Sequence, residues 1–215
     1  MIPVKIYFTV ALCCGLLSAC GDVQEASERN IEKAIRESVS AERVCLPTPA
    51  AVDVSGSPDV NLLLGNKTMR IAVKNIDGDK INKQALKQMD ILVDEGFYQE
   101  AKEEQALSGE IKIPFRVFER TDKGNAQIQP SPHGALLCLG TKKLNKVDLF
   151  TEPTAHNGVT AVKAVYEVQL QPEKWAEKLL KHSDENFFTQ AKHPRKQNMT
   201  LVLTNRGWRD MRELE

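Results

Sequence analysis

Histidine is scarce in this sequence, and its histidines are too far apart to form a metal-binding pattern. They are His133, His156, His182 and His193. A zinc hydrolase needs histidines and a carboxylate at ligand spacing, and no His-x-x-x-His pair occurs. The sequence also lacks the Gly-x-Ser-x-Gly elbow of serine hydrolases and the glycine-rich loops that bind phosphate. We therefore expect no enzymatic activity, no metal and no cofactor, with the histidines at the surface.

Two acidic patterns leave other chemistry open. The sequence from Asn75 to Asp79 is similar to the start of a calcium loop. It lacks the alternating ligands and the glutamate at the twelfth position, so we expect a plain turn. Asp148 and Glu152 could form a carboxylate pair for glycan hydrolysis, although carboxylates are common at strand ends. A hydrolase is therefore kept as an alternative.

Neither charge sign is in excess, because 29 lysines and arginines balance 29 aspartates and glutamates. Nucleic-acid binders usually concentrate a basic excess on one face. We therefore expect no nucleic-acid partner. Long apolar runs are also missing, except at the N-terminus.

Residues 1–19 have the composition of an export signal. Lys5 gives a short basic start, an apolar stretch follows, and small residues precede Cys20. A membrane-spanning helix needs about 20 apolar residues, so this stretch is too short to remain as a span. Residues 17–20, Leu-Ser-Ala-Cys, resemble the lipobox of bacterial lipoproteins. The resemblance implies that residues 1–19 are removed and that Cys20 carries the lipid.

A lipid on Cys20 would hold a folded domain at a membrane, facing the periplasm. In the enterobacterial sorting scheme, an aspartate directly after the cysteine favours the inner membrane. Gly21 occupies that position here, so the outer membrane is favoured. Removal of the signal leaves 196 residues with a formal net charge of −1, enough for one large domain or two small ones.

The mature chain keeps two cysteines besides Cys20, namely Cys45 and Cys138. In an oxidising periplasm, two cysteines most simply form a disulfide. Two buried free thiols are the alternative. A metal or redox pair has no support, because neither residue has another cysteine or a histidine nearby in sequence.

Residues 20–59 are predicted to contain the lipidated N-terminus, a helix and a linker. Apolar residues recur at helical spacing over 23–41. This helix either packs on its own domain or forms the stem of a tether from the membrane. Prolines, a glycine and serines over 46–59 indicate a loop.

Residues 60–129 are predicted to form an α/β segment. A strand over 62–73 precedes a helix over 80–95, and Gly96 lies where a helix-ending residue belongs. The helix end, the strand over 111–119 and the Thr-x-x-Gly turn after it resemble part of a winged-helix module. Because the helix mixes lysines with acids and an exported domain meets no chromosome, the resemblance implies a structural or protein-contact unit.

Residues 130–215 are predicted to form an antiparallel sheet with a covering helix. The strands are expected over 135–139, 144–150, 160–170 and 200–204, with a tight turn at Asn157 and Gly158. Pro172 is expected in the first turn of the covering helix. Trp175 and Trp208 form either a surface on which a sugar or peptide stacks, or braces between helix and sheet.

This C-terminal half resembles an uncharacterised group of proteobacterial envelope lipoproteins. The motifs that carry the resemblance are Leu-Cys-x-Gly at 137–140, Phe-Thr-Glu-Pro at 150–153 and Leu-Thr-x-x-Gly-Trp at 203–208. The sequence thus predicts an α+β fold with an N-terminal helix, a winged-helix-like segment and an antiparallel sheet with a covering helix. We expect a non-enzymatic accessory component of the envelope that binds a protein partner. A lipoprotein that binds a small ligand or glycan is the second alternative, and an envelope hydrolase is the third.

Overall fold

The computed structural model describes residues 24–53, 62–108 and 111–214. The predicted signal segment and Cys20 lie outside these residues, as does part of the predicted linker. The helices are α1 (Glu28–Ala41), α2 (Lys83–Asp94), α3 (Asp122–Asn125), α4 (Lys174–Leu180) and α5 (Glu185–Lys192), with a 3-10 helix at Met211–Leu214. The strands, in two groups, are β1 (Arg43–Leu46), β2 (Thr48–Pro49), β3 (Leu63–Leu64), β4 (Thr68–Ala72), β5 (Tyr98–Glu100), β6 (Glu104–Ser108) and β7 (Ile111–Arg120). The second group is β8 (Ile128–Ser131), β9 (Gly134–Phe150), β10 (Thr154–His156), β11 (Val159–Pro172), β12 (Arg195–Thr204) and β13 (Gly207–Asp210).

The fold is α+β, and its main element is a curled antiparallel sheet. The strands follow the order β1-β9-β11-β12-β13, with β8 paired to β9 and β10 paired to β11. The predicted strands over 135–139 and 144–150 belong to one 17-residue strand, β9. Two register shifts between β9 and β11 lie at residues 144–149 of β9, within the second predicted strand.

Strand β11 follows its predicted pattern. Its apolar residues point to one buried face, as the alternation predicts. They are Val162, Ala164, Tyr166, Val168 and Leu170. The turn before the strand is also confirmed, because Asn157 and Gly158 both adopt positive φ angles, 49° and 79°.

Helix α1 packs on its own domain, as one of the two predicted alternatives requires. Ser27 caps its first turn by accepting a hydrogen bond from the backbone N–H of Asn30. Its buried face is Ile31, Ala34, Ile35, Ser38 and Val39. These side chains and the central part of the β11 face form what we call the α1 core, together with Trp208.

A second core lies at the other end of β11. Leu170 of β11 belongs to it, as do apolar residues of α2, α4 and α5. Strands β4, β5 and β6 flank β7 in a smaller sheet, and this sheet contributes Met69, Ile71 and Phe118. We call this cluster the α2 core. Because β9 and β11 are long enough to reach both clusters, one sheet connects them.

A close approach of chain segments fixes the end of the smaller sheet. Thr121 caps α3 by accepting a hydrogen bond from the backbone N–H of Gly124. A Cβ on Gly124 would lie 2.1 Å from the carbonyl oxygen of Phe97, so only glycine fits there. The predicted Thr-x-x-Gly turn is therefore a short helix packed against the segment that follows α2.

Several predicted boundaries are wrong. Pro172 is the last residue of β11 rather than part of the covering helix, which begins at Lys174 with Glu173 as its N-cap. Helix α5 and strand β13 were not predicted. Strand β1 also pairs with β9, so the predicted linker region begins inside the main sheet. Among the described residues, no helix has the length and apolar character needed to span a membrane.

Candidate functional site

Cys45 and Cys138 are joined by a disulfide, as the sequence predicted. Cys45 of β1 and Cys138 of β9 are direct partners in the antiparallel register, 93 residues apart in sequence. Cys138 is buried. The bond therefore fastens an edge strand to the longest strand of the main sheet.

The two tryptophans lie in different cores and share no surface. Each side chain is only 4% exposed, so neither indole face is open to a ligand. Trp175 packs edge-on against Phe97 at 5.0 Å between ring centroids, and its Nε1 donates to Glu173. Trp208 donates from Nε1 to the backbone oxygen of Glu25 at 3.1 Å. The predicted stacking surface is thus wrong, and the alternative, braces between helix and sheet, agrees with the structure.

The contact of Trp208 with Glu25 shows where the N-terminal segment meets the domain. The same backbone oxygen also accepts a hydrogen bond from Asn30 Nδ2 at 2.9 Å. Glu25 is therefore held against both α1 and β13, only five residues after Cys20.

A buried polar network connects α1, β13 and the end of the chain. Asp210 is 2% exposed, and it accepts hydrogen bonds from Ser38 Oγ at 3.0 Å and from the guanidinium of Arg212. Burial alone would raise the pKa of Asp210, but the hydrogen bonds from Arg212 and Ser38 lower it below its ordinary value. This carboxylate is thus held ionised and fully partnered.

The network continues from Arg212 to the main sheet. Arg212 pairs with Glu42 at 2.8 Å, and Glu42 also pairs with Lys142 of β9. Burial opposes the ionised form of Glu42, yet Lys142 and Arg212 lower its pKa below the usual range. Lys142 then donates to Gln197 of β12 at 2.9 Å. These charges neutralise one another, which is typical of a structural network rather than of a poised acid or base.

A small cleft opens beside Lys142, where the two cores meet. Its apolar residues are Val44, Leu46, Val168, Leu170 and Ala191. Its polar residues are Lys142, His193, Arg195 and Gln197, with Gln169 completing the lining. The volume is about 80 Å³. Sites for drug-sized ligands usually measure roughly 300–1,000 Å³. The cleft could therefore hold a few atoms of a small polar or anionic group, but not a glycan.

The other predicted polar residues do not converge. His133, His156 and His193 are exposed, as expected, whereas His182 is half-buried with Nδ1 2.8 Å from Gln84 Oε1. No group of three His, Cys, Asp or Glu side chains is arranged to hold a metal within the described ranges.

Asn75 and Asp148 have local partners. The side-chain oxygen of Asn75 accepts from the backbone N–H groups of Asp77 and Asp79, which is the expected turn. Asp148 pairs with Lys146 and Lys196 at 3.0 and 2.9 Å. Hydrogen bonds from Lys196 and Lys146 lower the pKa of Asp148, so it is a poor proton donor for glycan hydrolysis.

Comparisons with known proteins give no relative: no family description, no curated protein and no solved structure matches this chain. The arguments about function therefore depend on its own residues. Sequence reasoning missed the network of Ser38, Glu42, Asp210 and Arg212. Ser38 and Asp210 are 172 residues apart, so no local spacing could have indicated their contact.

Proposed function

We propose that this protein is a lipid-anchored component of a bacterial cell envelope, with its folded domain facing the periplasm. The observation that carries the proposal is the position of Glu25, held by Trp208 and Asn30 five residues after Cys20. A lipid on Cys20 would then hold the domain directly at the membrane. The outer membrane is the proposed location, because Gly21 rather than aspartate follows the cysteine.

The disulfide supports the same compartment. Disulfides persist in oxidising compartments such as the periplasm and are rare in the cytosol. The bond between Cys45 and Cys138 crosses two paired strands and belongs to the folded domain. A disulfide within the folded domain is therefore consistent with export to an oxidising compartment.

Within the envelope we propose a non-enzymatic accessory role through contact with a protein partner. The buried carboxylate of Asp210 and the half-buried carboxylate of Glu42 are neutralised by cations, and the half-buried Asp148 is paired with two lysines. The cleft beside Lys142 is too small for a glycan, and two larger depressions among the described residues are open grooves lined mostly by polar side chains. A lipid anchor would keep such a domain close to membrane or wall assemblies at high effective concentration.

The winged-helix-like interpretation of residues 60–129 is part of this proposal. Its support is that α2 ends at a glycine with positive φ, Gly96, and is followed by the antiparallel pair β6 and β7. On this interpretation the segment is a protein-contact unit. The resemblance to proteobacterial envelope lipoproteins is also part of this proposal, and it rests on the motifs of the C-terminal half at 137–140, 150–153 and 203–208.

The anchor is tested by Cys20→Ser in the full chain expressed in a bacterium. We expect the unchanged protein in the membrane fraction and the variant in the soluble periplasmic fraction, because a multiply acylated cysteine gives stable anchoring. Equal membrane association of the two proteins would contradict the proposal.

The accessory role is tested by crosslinking the tagged, lipidated protein in cells and identifying what it captures. One dominant protein, lost when Cys20→Ser removes the lipid, is the expected result. Captured glycan, or nothing above background, would instead favour the alternative of a ligand-binding lipoprotein.

A further inference from the structure

Three chain features lie at one end of the main sheet. The register pairs His156 with Val159 beside the β10–β11 turn, and it pairs Thr204 with Gly207 beside the β12–β13 turn. Both turns lie at the same end, because Ala161 of β11 pairs with Val202 of β12. Trp208 holds Glu25 at this end as well. We call the surface formed by residues 24–27, 156–159 and 204–207 the anchor end.

The chain between Cys20 and Glu25 is short compared with the domain. Five residues span at most about 18 Å when fully extended. A folded chain of this size has a radius of gyration of about 16 Å, and so a diameter of about 40 Å. If the lipid on Cys20 is inserted in a bilayer, the anchor end is the part of the domain that can reach it.

The anchor end has apolar side chains that the domain leaves open. Val159, the first residue of β11, is 48% exposed. Leu214 of the 3-10 helix is 59% exposed and borders the anchor end, because it lines a groove with Thr204, Asn205 and Arg206. Arg209 and Glu213 complete the lining of this groove. Arg206 itself is exposed. Arg206 beside the exposed Leu214 suits a head-group region, where the cation meets phosphates and the aliphatic group leaves water. The surface as a whole is not basic, because the carboxylates of Glu25 and Glu213 are exposed there too.

We propose that the anchor end lies against the phospholipid head groups of the membrane that holds the Cys20 lipid. This inference rests on the proposed lipidation. Contact at this end directs the α2 core away from the bilayer, because Leu170 is eleven residues along β11 from Val159, up to about 36 Å. The cleft beside Lys142 and the smaller sheet then face the periplasm.

The test compares two exposed apolar positions at opposite ends of the domain. Ile76 is 56% exposed in the loop between β4 and α2, so Ile76→Cys is the matched control for Val159→Cys. With Cys45 and Cys138 joined and Cys20 acylated, the introduced thiol alone takes an environment-sensitive fluorophore. The full lipidated protein is reconstituted in vesicles of phosphatidylethanolamine and phosphatidylglycerol that contain a lipid with a nitroxide on its head group.

Flotation of the vesicles is measured first and quenching second. We expect both labelled proteins to float, and we expect quenching at position 159 at least about twofold stronger than at position 76, because the short connection keeps only the anchor end near the bilayer. The same label on a Val159→Cys protein that also carries Cys20→Ser should remain unquenched.

Two outcomes would overturn the inference, and they are distinguishable. If the proteins float but position 159 is quenched no more than position 76, the orientation is wrong while the anchor stands. If the proteins with an intact Cys20 do not float, the proposed lipidation fails and the orientation fails with it.

Discussion

The disulfide between Cys45 and Cys138 should contribute a large part of the free energy of unfolding. It closes a loop over 93 residues of sequence. In the chain-entropy description, a cross-link over a loop of this length lowers the entropy of the unfolded chain enough to stabilise the fold by about 4.6 kcal/mol at 25 °C. Domains are typically stable by only about 5–15 kcal/mol. Loss of the bond should therefore remove roughly a third or more of the stability.

The free energy of unfolding would be measured by urea titration of the full chain carrying Cys20→Ser, with circular dichroism as the signal. The Cys45→Ala/Cys138→Ala double variant is compared with the oxidised parent. We expect a loss of about 4–5 kcal/mol. In a thermal scan, the unfolding midpoint should fall by roughly 10–18 °C for a domain of this size. Amides of β1 should also exchange faster, since this edge strand loses its covalent attachment to β9.

The reduced parent protein is the matched control, because it lacks the bond but keeps both sulfur atoms. Its stability should lie within about 1 kcal/mol of the double variant, which removes little volume at the buried Cys138. A difference below about 1 kcal/mol between oxidised and reduced parent would refute the reasoning. Two free thiols in the native exported protein would refute the bond itself.

Two further substitutions test the packing. Asp210→Asn should lower the free energy of unfolding by about 1–3 kcal/mol at pH 7. This is less than for a fully buried ion pair, because the partner Arg212 is largely exposed. The pKa of Asp210 in the folded protein lies below the ordinary value of about 3.9. The carboxylate therefore contributes its full stabilisation above about pH 3.9, and this stabilisation is lost as the pH falls through the folded-state pKa. Unfolding midpoints of parent and variant should therefore converge between pH 7 and pH 2, and a constant gap would contradict the assignment. Gly124→Ala should cost at least about 2 kcal/mol in urea unfolding, because its Cβ meets the Phe97 carbonyl oxygen. Gly78→Ala, where nothing lies within 4 Å of the Cβ, should cost about 1 kcal/mol from its positive φ alone; equal losses at the two glycines would argue against the close approach.

The two ends of the domain differ in which parts of the chain they hold, and this difference bears on the proposed role. The anchor end receives the N-terminal segment through Trp208, whereas the α2 core and the smaller sheet lie at the far end of β11. If the domain is anchored and oriented as proposed, a protein partner would contact the α2 core and the smaller sheet more readily than the anchor end. The crosslinking and quenching experiments together would show whether this division holds.

Local patterns in the sequence predicted several elements well. The apolar alternation in β11 predicted its buried face, and Asn157-Gly158 predicted a tight turn, because both signals depend on neighbouring residues. Helix α2 was also predicted within a few residues of its observed ends. Predicted element boundaries were wrong where one local signal is compatible with two structures. Proline is acceptable both in the first turn of a helix and at the end of a strand, and Pro172 lies at the end of strand β11.

The tertiary structure alone decided which distant groups meet. Trp208 is hydrogen-bonded to Glu25, 183 residues away in sequence, and Ser38 is hydrogen-bonded to Asp210, 172 residues away. Periodicity and spacing report only on neighbours within a few turns of helix or residues of strand, so neither contact has a signal in the sequence. The sequence by itself therefore determined the strand faces, the turns and the candidate disulfide partners. Only the tertiary structure decided that the tryptophans are buried and that the N-terminal segment meets the domain at the anchor end, because Trp175 of α4 packs on Phe97 and Trp208 of β13 contacts Glu25, each far away in sequence.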